Sequence, residues 1–509
     1  MSKHSRSKTV WRMVLAVVSV LVIVALVAVA AVYRPTWIHA DSPMTQRSSV
    51  SRTVSPRQLE TYCPARMTIA DTDAYGDSEY QASNGNIASS VRYTAFGAVF
   101  HSSVGFLGAD ETTSALVLTK DDEGADDDVF IASGTVNDGS QLQNTRLLSA
   151  SDGTGAASSM MSWATDGDLK GVSAASCVTP ALKQSLMVSG TKTGITQQLV
   201  VANPSAKATS VNIKVWGSDK AGALALSTGS TLTVGAGKES ILNLAAAASE
   251  QDALYVTVSS ADTPVAAVVR TITMDGLTSK GSDYAVPNNV SAKTLAINGL
   301  SEGDDVNLYV YPSQQADVTV SWTDGTGTKN TNQQTLEANR VSVIDLGSVP
   351  KSATGLTISA TEPVTAAKVT NDGDGDQADF ALVNASVPMN VSAIAVPDHA
   401  TAQVSVTNTS DDDRTATLTS YNGDGDIVEQ SDLTIRAGAS TTIELADIND
   451  GDVAAVSLAD PDQSMVWNIR VSQKDVSDAK LAGVSVIGAT DLKEAREQVW
   501  SNQNMTIVR

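Results

Sequence analysis

The sequence predicts an all-β protein in which a single N-terminal transmembrane helix is followed by serial β-sandwich-like domains. Three observations predict this class: one long uncharged apolar segment, short strand-like runs between Asp- and Gly-rich turns, and a repeat of about 100 residues. The chain has 509 residues, too many for a single hydrophobic core, so we expect several domains. Aromatic residues make up only 4 % of it, which predicts cores of Val, Ala, Leu and Ile.

The segment from Met13 to Val32 is the predicted transmembrane helix. Its 20 residues carry no charge, and as a helix they rise about 30 Å, the thickness of the hydrocarbon core of a bilayer. Residues 1–12 form a basic tail, which we expect to stay in the cytoplasm while the body lies on the outer face of the membrane. Ala28-Val29-Ala30 also has the small-residue spacing of a cleavage site, so a cleaved signal peptide is the alternative interpretation.

The chain beyond this segment is acidic. The formal net charge of the whole chain is −22, with 34 Lys and Arg against 56 Asp and Glu. Nucleic-acid binding requires clustered Lys and Arg that neutralise phosphates, so we expect no nucleic-acid partner. Residues 33–60 are rich in Ser, Thr, Arg and Pro and are predicted to form an extracytoplasmic linker.

Residues 61–184 form the first predicted β domain, in which short apolar runs alternate with polar turns. The two cysteines of the chain, Cys63 and Cys177, lie near the ends of this domain. A cysteine pair beyond an export signal predicts one disulfide, with two unrelated buried thiols as the alternative. Neither cysteine has another Cys or a His at metal-ligand spacing, so we expect no zinc site.

The sequence repeats itself from about residue 185 onward. Gly237, Asn339 and Gly438 occupy the same position in three similar segments, 102 and then 99 residues apart, and both residue types accept a left-handed turn. The three predicted β-sandwich repeats, each of the size common for such domains, are residues 185–290, 291–390 and 391–487. Residues 488–509 are predicted to be a C-terminal helix and tail, because Asp491–Trp500 has a helical composition.

Several short motifs resemble a known group of proteins. Cys63-Pro64 follows the Ser- and Arg-rich linker, and Asp168–Cys177 ends the first domain. Leu199–Ser205 then leads into Val211–Gly217. Together with the basic tail and the apolar segment, these motifs resemble uncharacterised membrane-anchored secreted proteins of actinobacteria, classed as a domain of unknown function. The resemblance covers most of residues 60–487, implies a cell-envelope location and carries no established activity or catalytic residue.

The sequence offers few residues for catalysis. His101 and His399 are the histidines of the body, so a Ser-His-Asp arrangement could form only around them. Gly299-Leu-Ser-Glu-Gly303 matches the nucleophile-elbow pattern, but that elbow needs a strand before the serine and a helix after it. A strand-like run follows here, so we interpret the motif as a turn and predict no catalytic residue and no cofactor.

Asp-rich turns are the candidates for metal binding. Asp372–Asp376 and Asn422–Asp426 place oxygen ligands at alternate positions, as a calcium loop does, but lack the Gly and Glu that complete it. We interpret both, and the run Asp121–Asp128, as turns, with weak calcium binding as the alternative, and predict no metal site. Tryptophans can also stack on sugar rings, but we expect those of the strands to pack in cores: Trp163, Trp216, Trp322 and Trp467.

These observations predict a non-catalytic, single-pass cell-envelope protein with a structural or binding role. Its expected partners are the membrane, through the N-terminal helix, and an envelope glycan or protein. Two alternatives remain open: a carbohydrate-binding or glycan-processing module, and an accessory subunit of a membrane glycan-assembly or export complex.

Overall fold

The structure is a computed structural model, and it describes residues 17–25, 49–69, 82–109, 116–119, 128–372, 376–494 and 497–502. Strands account for 56 % of the structure and helices for 6 %, which confirms the predicted all-β class. The chain divides into two compact units, a small one of Met1–Val54 with Glu497–Arg509 and a large one of Ser55–Arg496.

The described residues of the small unit form one strand pair and one helix. Strand β1 (Ser49–Val54) pairs antiparallel with the C-terminal strand Glu497–Asn502. Residues 17–25 form helix α1, whose Val and Leu side chains are exposed. The ends of the predicted transmembrane segment, Met13 and Val32, lie outside the described residues. Among the helices that the structure describes, none is both long enough and apolar enough to cross a membrane.

The large unit contains four successive β-sandwiches with a common strand order. In each of them, one layer holds the first, sixth, third and fourth strands, and the other layer holds the fifth, second, seventh and eighth. Neighbouring strands in the sheets are antiparallel. The sequence repeat predicts β-sandwiches from residue 185 onward. The structure shows that residues 58–176, before the repeat, form a sandwich with the same strand order.

Sandwich 1 spans residues 58–176. Its strands are β2 (Gln58–Cys63), β3 (Ala88–Phe96), β4 (Val99–Phe106), β5 (Leu116–Val117), β6 (Val129–Gly134), β7 (Gln141–Leu147), β8 (Gly155–Ala156), β9 (Ser159–Ala164) and β10 (Gly171–Ser176). The sheets have the orders β2–β7–β4–β5 and β6–β3–β9–β10, and the short β8 is an addition that pairs with β3.

Sandwich 2 spans residues 183–285. Its strands are β11 (Lys183–Ser189), β12 (Ile195–Asn203), β13 (Thr209–Trp216), β14 (Thr231–Val234), β15 (Lys238–Asn243), β16 (Ala253–Ser260), β17 (Ala266–Asp275) and β18 (Thr278–Ala285). The sheets have the orders β11–β16–β13–β14 and β15–β12–β17–β18. A single helical turn, α2 (Leu244–Ala247), follows β15, and the Asn243 side chain caps it by accepting the N–H of Ala246.

Sandwich 3 spans residues 292–384. Its strands are β19 (Ala292–Asn298), β20 (Asp305–Pro312), β21 (Ala316–Asp324), β22 (Gly327–Leu336), β23 (Ser342–Ser348), β24 (Gly355–Asp372) and β25 (Asp379–Asn384). Strand β24 is 18 residues long and serves as both the sixth and the seventh strand. It therefore joins the two layers into one seven-stranded sheet.

Sandwich 4 spans residues 391–488. Its strands are β26 (Val391–Ala395), β27 (Ala400–Asn408), β28 (Arg414–Tyr421), β29 (Ile427–Ile435), β30 (Ser440–Glu444), β31 (Ala455–Ala459), β32 (Met465–Gln473) and β33 (Ser485–Gly488). The sheets have the orders β29–β28–β31–β26 and β30–β27–β32–β33. Short helical turns lie at Leu445–Asp447, Asn449–Gly451 and α3 (Lys474–Asp478).

Strand β13 illustrates how the sequence pattern positions the sheets. Val211, Ile213 and Val215 are buried in the core of sandwich 2, whereas Ser210, Asn212 and Lys214 alternate with them and face solvent. Successive side chains of a strand point to opposite faces of the sheet, so this alternation buries one face only.

The C-terminal segment differs from the sequence-based expectation. The predicted helix over Asp491–Trp500 is wrong, since β34 (Thr490–Asp491) pairs with β26 and β35 (Glu497–Asn502) pairs with β1. Isolated helices shorter than about 12–15 residues are marginal in water. Backbone pairing with other strands therefore outweighs the helical propensity of this short segment.

The eighth strands of the four sandwiches lie together at one junction. Strand β10 contacts β18, β18 contacts β25, β25 contacts β33, and β33 contacts β10. Each of them is the edge strand of its own sheet. The four sandwiches are thus joined around a common centre made of sheet edges.

Candidate ligand-binding cavity at the junction of the four sandwiches

Asp379, at the start of β25, is buried in the junction and crosslinks three sandwiches. Its Oδ2 accepts the N–H of Val172 in sandwich 1 at 2.8 Å and the N–H of Val484 in sandwich 4 at 3.0 Å. Its Oδ1 accepts the N–H of Phe380 at 3.0 Å. The carboxylate therefore satisfies backbone donors that the edge strands would otherwise leave unpaired.

Asp283, on β18 of sandwich 2, also crosslinks the sandwiches. Its Oδ1 accepts the N–H of Ala174 at 3.1 Å and the hydroxyl of Ser485 at 2.9 Å. Its Oδ2 accepts the N–H of Leu382 at 2.8 Å. The Asp283 carboxylate thus bonds to sandwiches 1, 3 and 4 at once.

Burial dominates the electrostatics of this pair. Desolvation raises the pKa of Asp283 to about 7, against the opposing effect of its hydrogen bonds from Leu382, Ser485 and Ala174. Desolvation likewise raises the pKa of Asp379 above its ordinary range, and the nearby Asp283 carboxylate adds to that increase. Both side chains are at most 1 % exposed, so the junction holds acids that resist ionisation.

A cavity of about 380 Å³ lies where the linkers between the sandwiches meet. The linkers after β10, β18 and β25 and the segment after β33 all contribute to its wall. Its buried floor includes Asn298, Trp467 and Asn468, and its rim includes the exposed Asn289 and Gly488. Every sandwich of the large unit therefore supplies part of this one cavity.

Three asparagines of the wall have their amide groups committed to the backbone. Asn288 Nδ2 donates to the Ala366 carbonyl at 3.0 Å, and Asn298 Nδ2 donates to the Val466 carbonyl at 2.7 Å. Asn384 Nδ2 donates at 3.0 Å to the carbonyl of Val286, in the linker after β18. These bonds hold neighbouring sandwiches together and give the cavity a preformed wall.

Asn468 differs from these three asparagines. It is 4 % exposed, and its Oδ1 has no hydrogen-bond partner among the described residues. Gly488 pairs directly with Asn468 across β32 and β33, so the two residues project from the same face of the sheet. A Cβ placed at Gly488 would meet open space, whereas a Cβ placed at Gly299 would lie 3.2 Å from Asn468 Oδ1, so this oxygen lies against the turn after β19.

Ser405 lies on the other side of Asn468, in the paired position of β27. It is 1 % exposed, and its hydroxyl oxygen also lacks a partner among the described residues. Buried polar atoms are rarely left unpaired, because each costs about 1–3 kcal/mol. Two unsatisfied buried atoms therefore lie on adjacent strands; Asn468 is a residue of the cavity lining, whereas Ser405 is not.

The predicted disulfide between Cys63 and Cys177 is present. It joins residues 114 positions apart, with their Cα atoms 4.4 Å from each other. Cys63 ends β2 and Cys177 follows β10, so the bond links the two sheets of sandwich 1. Cys177 also lines the cavity, and the bond therefore anchors the start of the first linker.

The Gly299–Gly303 motif forms the turn between β19 and β20, and a strand follows it where a nucleophile elbow needs a helix. Ser301 is exposed, and its backbone N–H donates to Asp304 Oδ2 at 2.9 Å. Arg470 binds Asp304 through both of its terminal nitrogens, at 2.6 and 3.1 Å. This ion pair fastens the turn to sandwich 4.

The two histidines of the body lie in separate settings. His399 adopts a left-handed backbone with a φ of 67° in the turn before β27, and its ring lies 5.7 Å from that of Trp163. His101 lies on β4, where its Nδ1 is 3.4 Å from the Thr119 hydroxyl. Among the described residues, no hydrogen bond joins either ring to the turn that contains Ser301.

The Asn422–Asp426 segment forms a hydrogen-bonded turn. Asn422 Oδ1 accepts the backbone N–H of Asp424 at 3.0 Å and of Asp426 at 2.9 Å, as an Asx turn does. Parts of the other two acidic segments, residues 373–375 and 121–127, lie outside the described residues. In the described part of the chain, no group of three or more His, Cys, Asp or Glu side chains is placed to hold a metal ion.

The tryptophans divide into two groups. Trp322 is 6 % exposed and Trp467 is 2 % exposed, as expected for core residues. Trp467 Nε1 donates to the Ser392 hydroxyl at 2.8 Å, which fixes the indole beside the cavity. Trp163 and Trp216 are half-buried, and Trp216 packs 5.6 Å from the rings of Tyr255 and Tyr311, between sandwiches 2 and 3.

A protein-family profile, described as a family of unknown function (DUF5719), matches residues 131–446, more than half of the chain. The chain belongs to DUF5719. The DUF5719 match begins in β6 of sandwich 1 and ends just after β30 of sandwich 4, so it includes both buried aspartates. No curated protein matches the sequence.

Two repeated motifs of this DUF5719 chain lie at the junction, and neither is among the motifs from which a site was predicted. Val286–Ala292 and Val387–Ala393 share the pattern V-P-x-N-V-S-A, and both begin in linkers that line the cavity. Asp283 and Asp379 each begin an Asp-aromatic-Ala triplet. Internal comparison of the repeats could have found both motifs, but it could not have shown that they meet in space.

Proposed function

We propose that this protein is a non-catalytic, membrane-anchored protein of the cell envelope, with a binding role exerted through its β-sandwiches. The observation that supports a binding role is the cavity at the junction, to which all four sandwiches contribute residues. A preformed pocket with an apolar wall and a few converging polar groups is the usual form of a small-molecule site. Residues of the four sandwiches and of the linkers between them together form the wall of this pocket.

The proposed location rests on the N-terminal sequence and on the disulfide. The uncharged segment from Met13 to Val32 follows a basic tail, a combination typical of a single-pass anchor with a cytoplasmic N-terminus. The disulfide between Cys63 and Cys177 supports an oxidising compartment. The likeness of residues 60–487 to secreted actinobacterial proteins supports an actinobacterial cell envelope.

The chemistry of the junction favours binding over catalysis. Asp283 and Asp379 are fully engaged with backbone and hydroxyl donors, and burial favours their neutral forms. Carboxyls that act as acids and bases must reach a substrate. These two carboxyls instead hold strands together.

Paired reporter fusions test the location. Alkaline phosphatase fused after Arg509 should be active, and a green fluorescent protein that matures only in the cytoplasm should stay dark at the same position. The matched control is the Leu21→Arg, Val24→Arg double variant, since each charge costs about 2.5–3.5 kcal/mol at a helix centre in the membrane. This variant should reverse both signals, whereas fluorescence of the unaltered chain would overturn the proposal.

A further inference from the structure

We infer that one end of sandwich 1 rests on the surface of the phospholipid bilayer that holds the proposed N-terminal anchor. This inference rests on the proposed anchor and adds a second membrane contact to it. The contact surface is a depression of about 480 Å³, termed the Phe100 depression, which is lined by Arg57, Gln58, Phe100, Arg146, Leu147 and Leu148.

A β-bulge turns the Phe100 side chain outward. The register of β4 on β7 shifts between Val99 and His101, so Phe100 is the extra residue of the bulge. Such a residue is left unpaired, and the bulge changes the direction of its side chain. Phe100 is 56 % exposed, whereas Val99 is fully buried in the core of the sandwich. This end of β4 therefore presents an apolar ring at the surface.

The sheet face beside Phe100 is covered at one end only. Tyr62 and Leu142 lie further along β2 and β7, on the face that carries Gln58 and Arg146, and both pack against residues of sandwich 2. Gln58 and Arg146 are exposed. The lining of the Phe100 depression comes from sandwich 1 alone, so this end of the face is available to a partner.

Arg57 supplies a cation beside the exposed ring. Its backbone carbonyl accepts the N–H of Leu147 at 2.7 Å, which holds it at the end of β7. Its side chain is exposed and forms no ion pair with any described residue. A guanidinium donates paired hydrogen bonds to phosphate, and a Phe next to basic residues is typical of surfaces that lie at the level of lipid headgroups.

The Phe100 depression lies where the chain arrives from the proposed anchor. The large unit begins at Ser55, and Arg57 and Gln58 are among its first residues. The predicted transmembrane segment ends at Val32, so residues 33–54 are all that separates it from the large unit. Of the four sandwiches, sandwich 1 is therefore the one that the anchor keeps closest to the bilayer along the chain.

The contact needs lipid phosphates but no excess of anionic lipid. The Thr119 hydroxyl lies 3.4 Å from Nδ1 of His101, the neighbour of Phe100, and the acidic run Asp121–Asp128 follows Thr119 closely in the sequence. Like charges repel, so we expect added anionic lipid not to strengthen the contact. Zwitterionic phospholipids carry a phosphate and suffice for Arg57.

Quenching of a site-specific dye by headgroup-labelled lipid tests the inference. The full chain is inserted into phosphatidylcholine nanodiscs, with or without a nitroxide on the headgroup, and its insertion is checked by co-elution. Both cysteines form the disulfide, so a Gln58→Cys variant offers a single thiol to a maleimide dye. The nitroxide lipid should quench this dye about twofold more than a dye at Asn212→Cys, on the exposed face of β13.

Substitutions in the Gln58→Cys background identify the contacting side chains. Phe100→Ser combined with Arg57→Ser removes the ring and the cation and should reduce quenching to the level of the Asn212 position. Phe106→Ser is the matched control and should keep full quenching, because Phe106 is 51 % exposed on the same strand and does not line the depression. Melting curves of every variant establish that each one is folded.

The outcomes separate this inference from the proposed anchor. Equal quenching at Gln58 and Asn212 in chains that co-elute with nanodiscs would overturn the inference and leave the anchor standing. Quenching that persists in the double variant, or that appears only with phosphatidylglycerol, would overturn it as well. A chain that does not co-elute would refute the anchor and the inference together. If the double variant does not fold, the comparison of the two dye positions decides the question.

Discussion

Buried acids and amides at the junction differ in the hydrogen bonds that they make. Asp283, Asp379 and Asn298 make hydrogen bonds that join different sandwiches. Asn468 occupies a similar buried position, and its amide oxygen has no partner among the described residues. Substitutions of these buried polar residues should therefore differ in their effect on the free energy of unfolding.

Asp283 makes the stability of the protein depend on pH. Burial raises its pKa to about 7, whereas an Asp in an unfolded chain titrates near pH 4. The folded protein therefore holds a proton that the unfolded chain has released between these values. The stability from this group is fully present below about pH 4 and declines as the pH rises towards 7, by about 4 kcal/mol in total.

The Asp283→Asn variant should remove this part of the pH dependence. We expect its free energy of unfolding, from urea titrations at pH 4 to 8, to fall less steeply with pH than that of the unaltered protein. Asp411→Asn is the control, because Asp411 is exposed. Equal slopes for the Asp283 variant and the unaltered protein would show that Asp283 titrates at its ordinary value.

Leucine substitutions distinguish the unsatisfied amide from the bonded one. Asn298→Leu removes the donor to the Val466 carbonyl, so we expect a loss of about 2–3 kcal/mol in the free energy of unfolding. Asn468→Leu removes an oxygen that has no partner in the described part of the chain, so it should change the same quantity by less than about 1 kcal/mol. Urea unfolding measures both, and equal losses would contradict the assignment of Asn468 Oδ1 as unsatisfied.

The disulfide was predictable because the chain has two cysteines, and both follow a segment that is predicted to export the chain. The junction acids were not, since Asp283 and Asp379 are two of 56 acidic residues, and the Asp-aromatic-Ala triplet that each begins does not show that the carboxyl is buried. Asn468 is likewise ordinary in sequence. Its unpaired oxygen lies 3.2 Å from the position that a Cβ of Gly299 would occupy, and these two residues are brought together only by the packing of sandwich 3 on sandwich 4.

At the level of elements, one asparagine network recurs in sandwiches 2 and 4. Asn203 Nδ2 donates to the carbonyls of Lys207, Val234 and Gly235, while its Oδ1 accepts from Ser205. Asn408 makes the corresponding bonds in sandwich 4: to Asp412, Ile435, Arg436 and Ser410. Each network holds the turn after the second strand against the turn before the fifth.

Removing either asparagine should loosen these paired turns. We expect Asn203→Ala and Asn408→Ala each to lower the free energy of unfolding by about 1–3 kcal/mol, because buried carbonyl groups lose their donor. Asn212→Ala on the exposed face of β13 is the control and should change it by less than about 0.5 kcal/mol. Losses no larger than the control, measured by chemical unfolding, would contradict the structural role of the network.

The presence of strands could be predicted from alternating apolar residues and from turn residues. The order in which the strands pair could not. The repeated turn with Gly237, Asn339 and Gly438 made sandwiches 2 to 4 visible in the sequence. Sandwich 1 lacks a matching segment, and its common strand order emerged only from the pairing of its sheets. The fusion of two strands into β24 likewise depends on pairing across the sandwich rather than on local sequence.

On the scale of the whole molecule, the four sandwiches of the large unit act as one support for a shared cavity. Linkers between the sandwiches form its wall, and the disulfide fixes the first of them at Cys177. A bond between residues 114 positions apart restrains the unfolded chain strongly, by about 4–5 kcal/mol in the chain-entropy model. Its formation requires an oxidising compartment, which ties the fold to the proposed location.

Thiol trapping in intact cells tests this link most directly. Cells that make the protein are quenched with acid and alkylated, and the peptides that contain Cys63 and Cys177 are analysed by mass spectrometry without reduction. An envelope protein should yield the two peptides joined by a disulfide, with little alkylation of either cysteine. Recovery of both cysteines in the alkylated form from the membrane fraction would contradict the account.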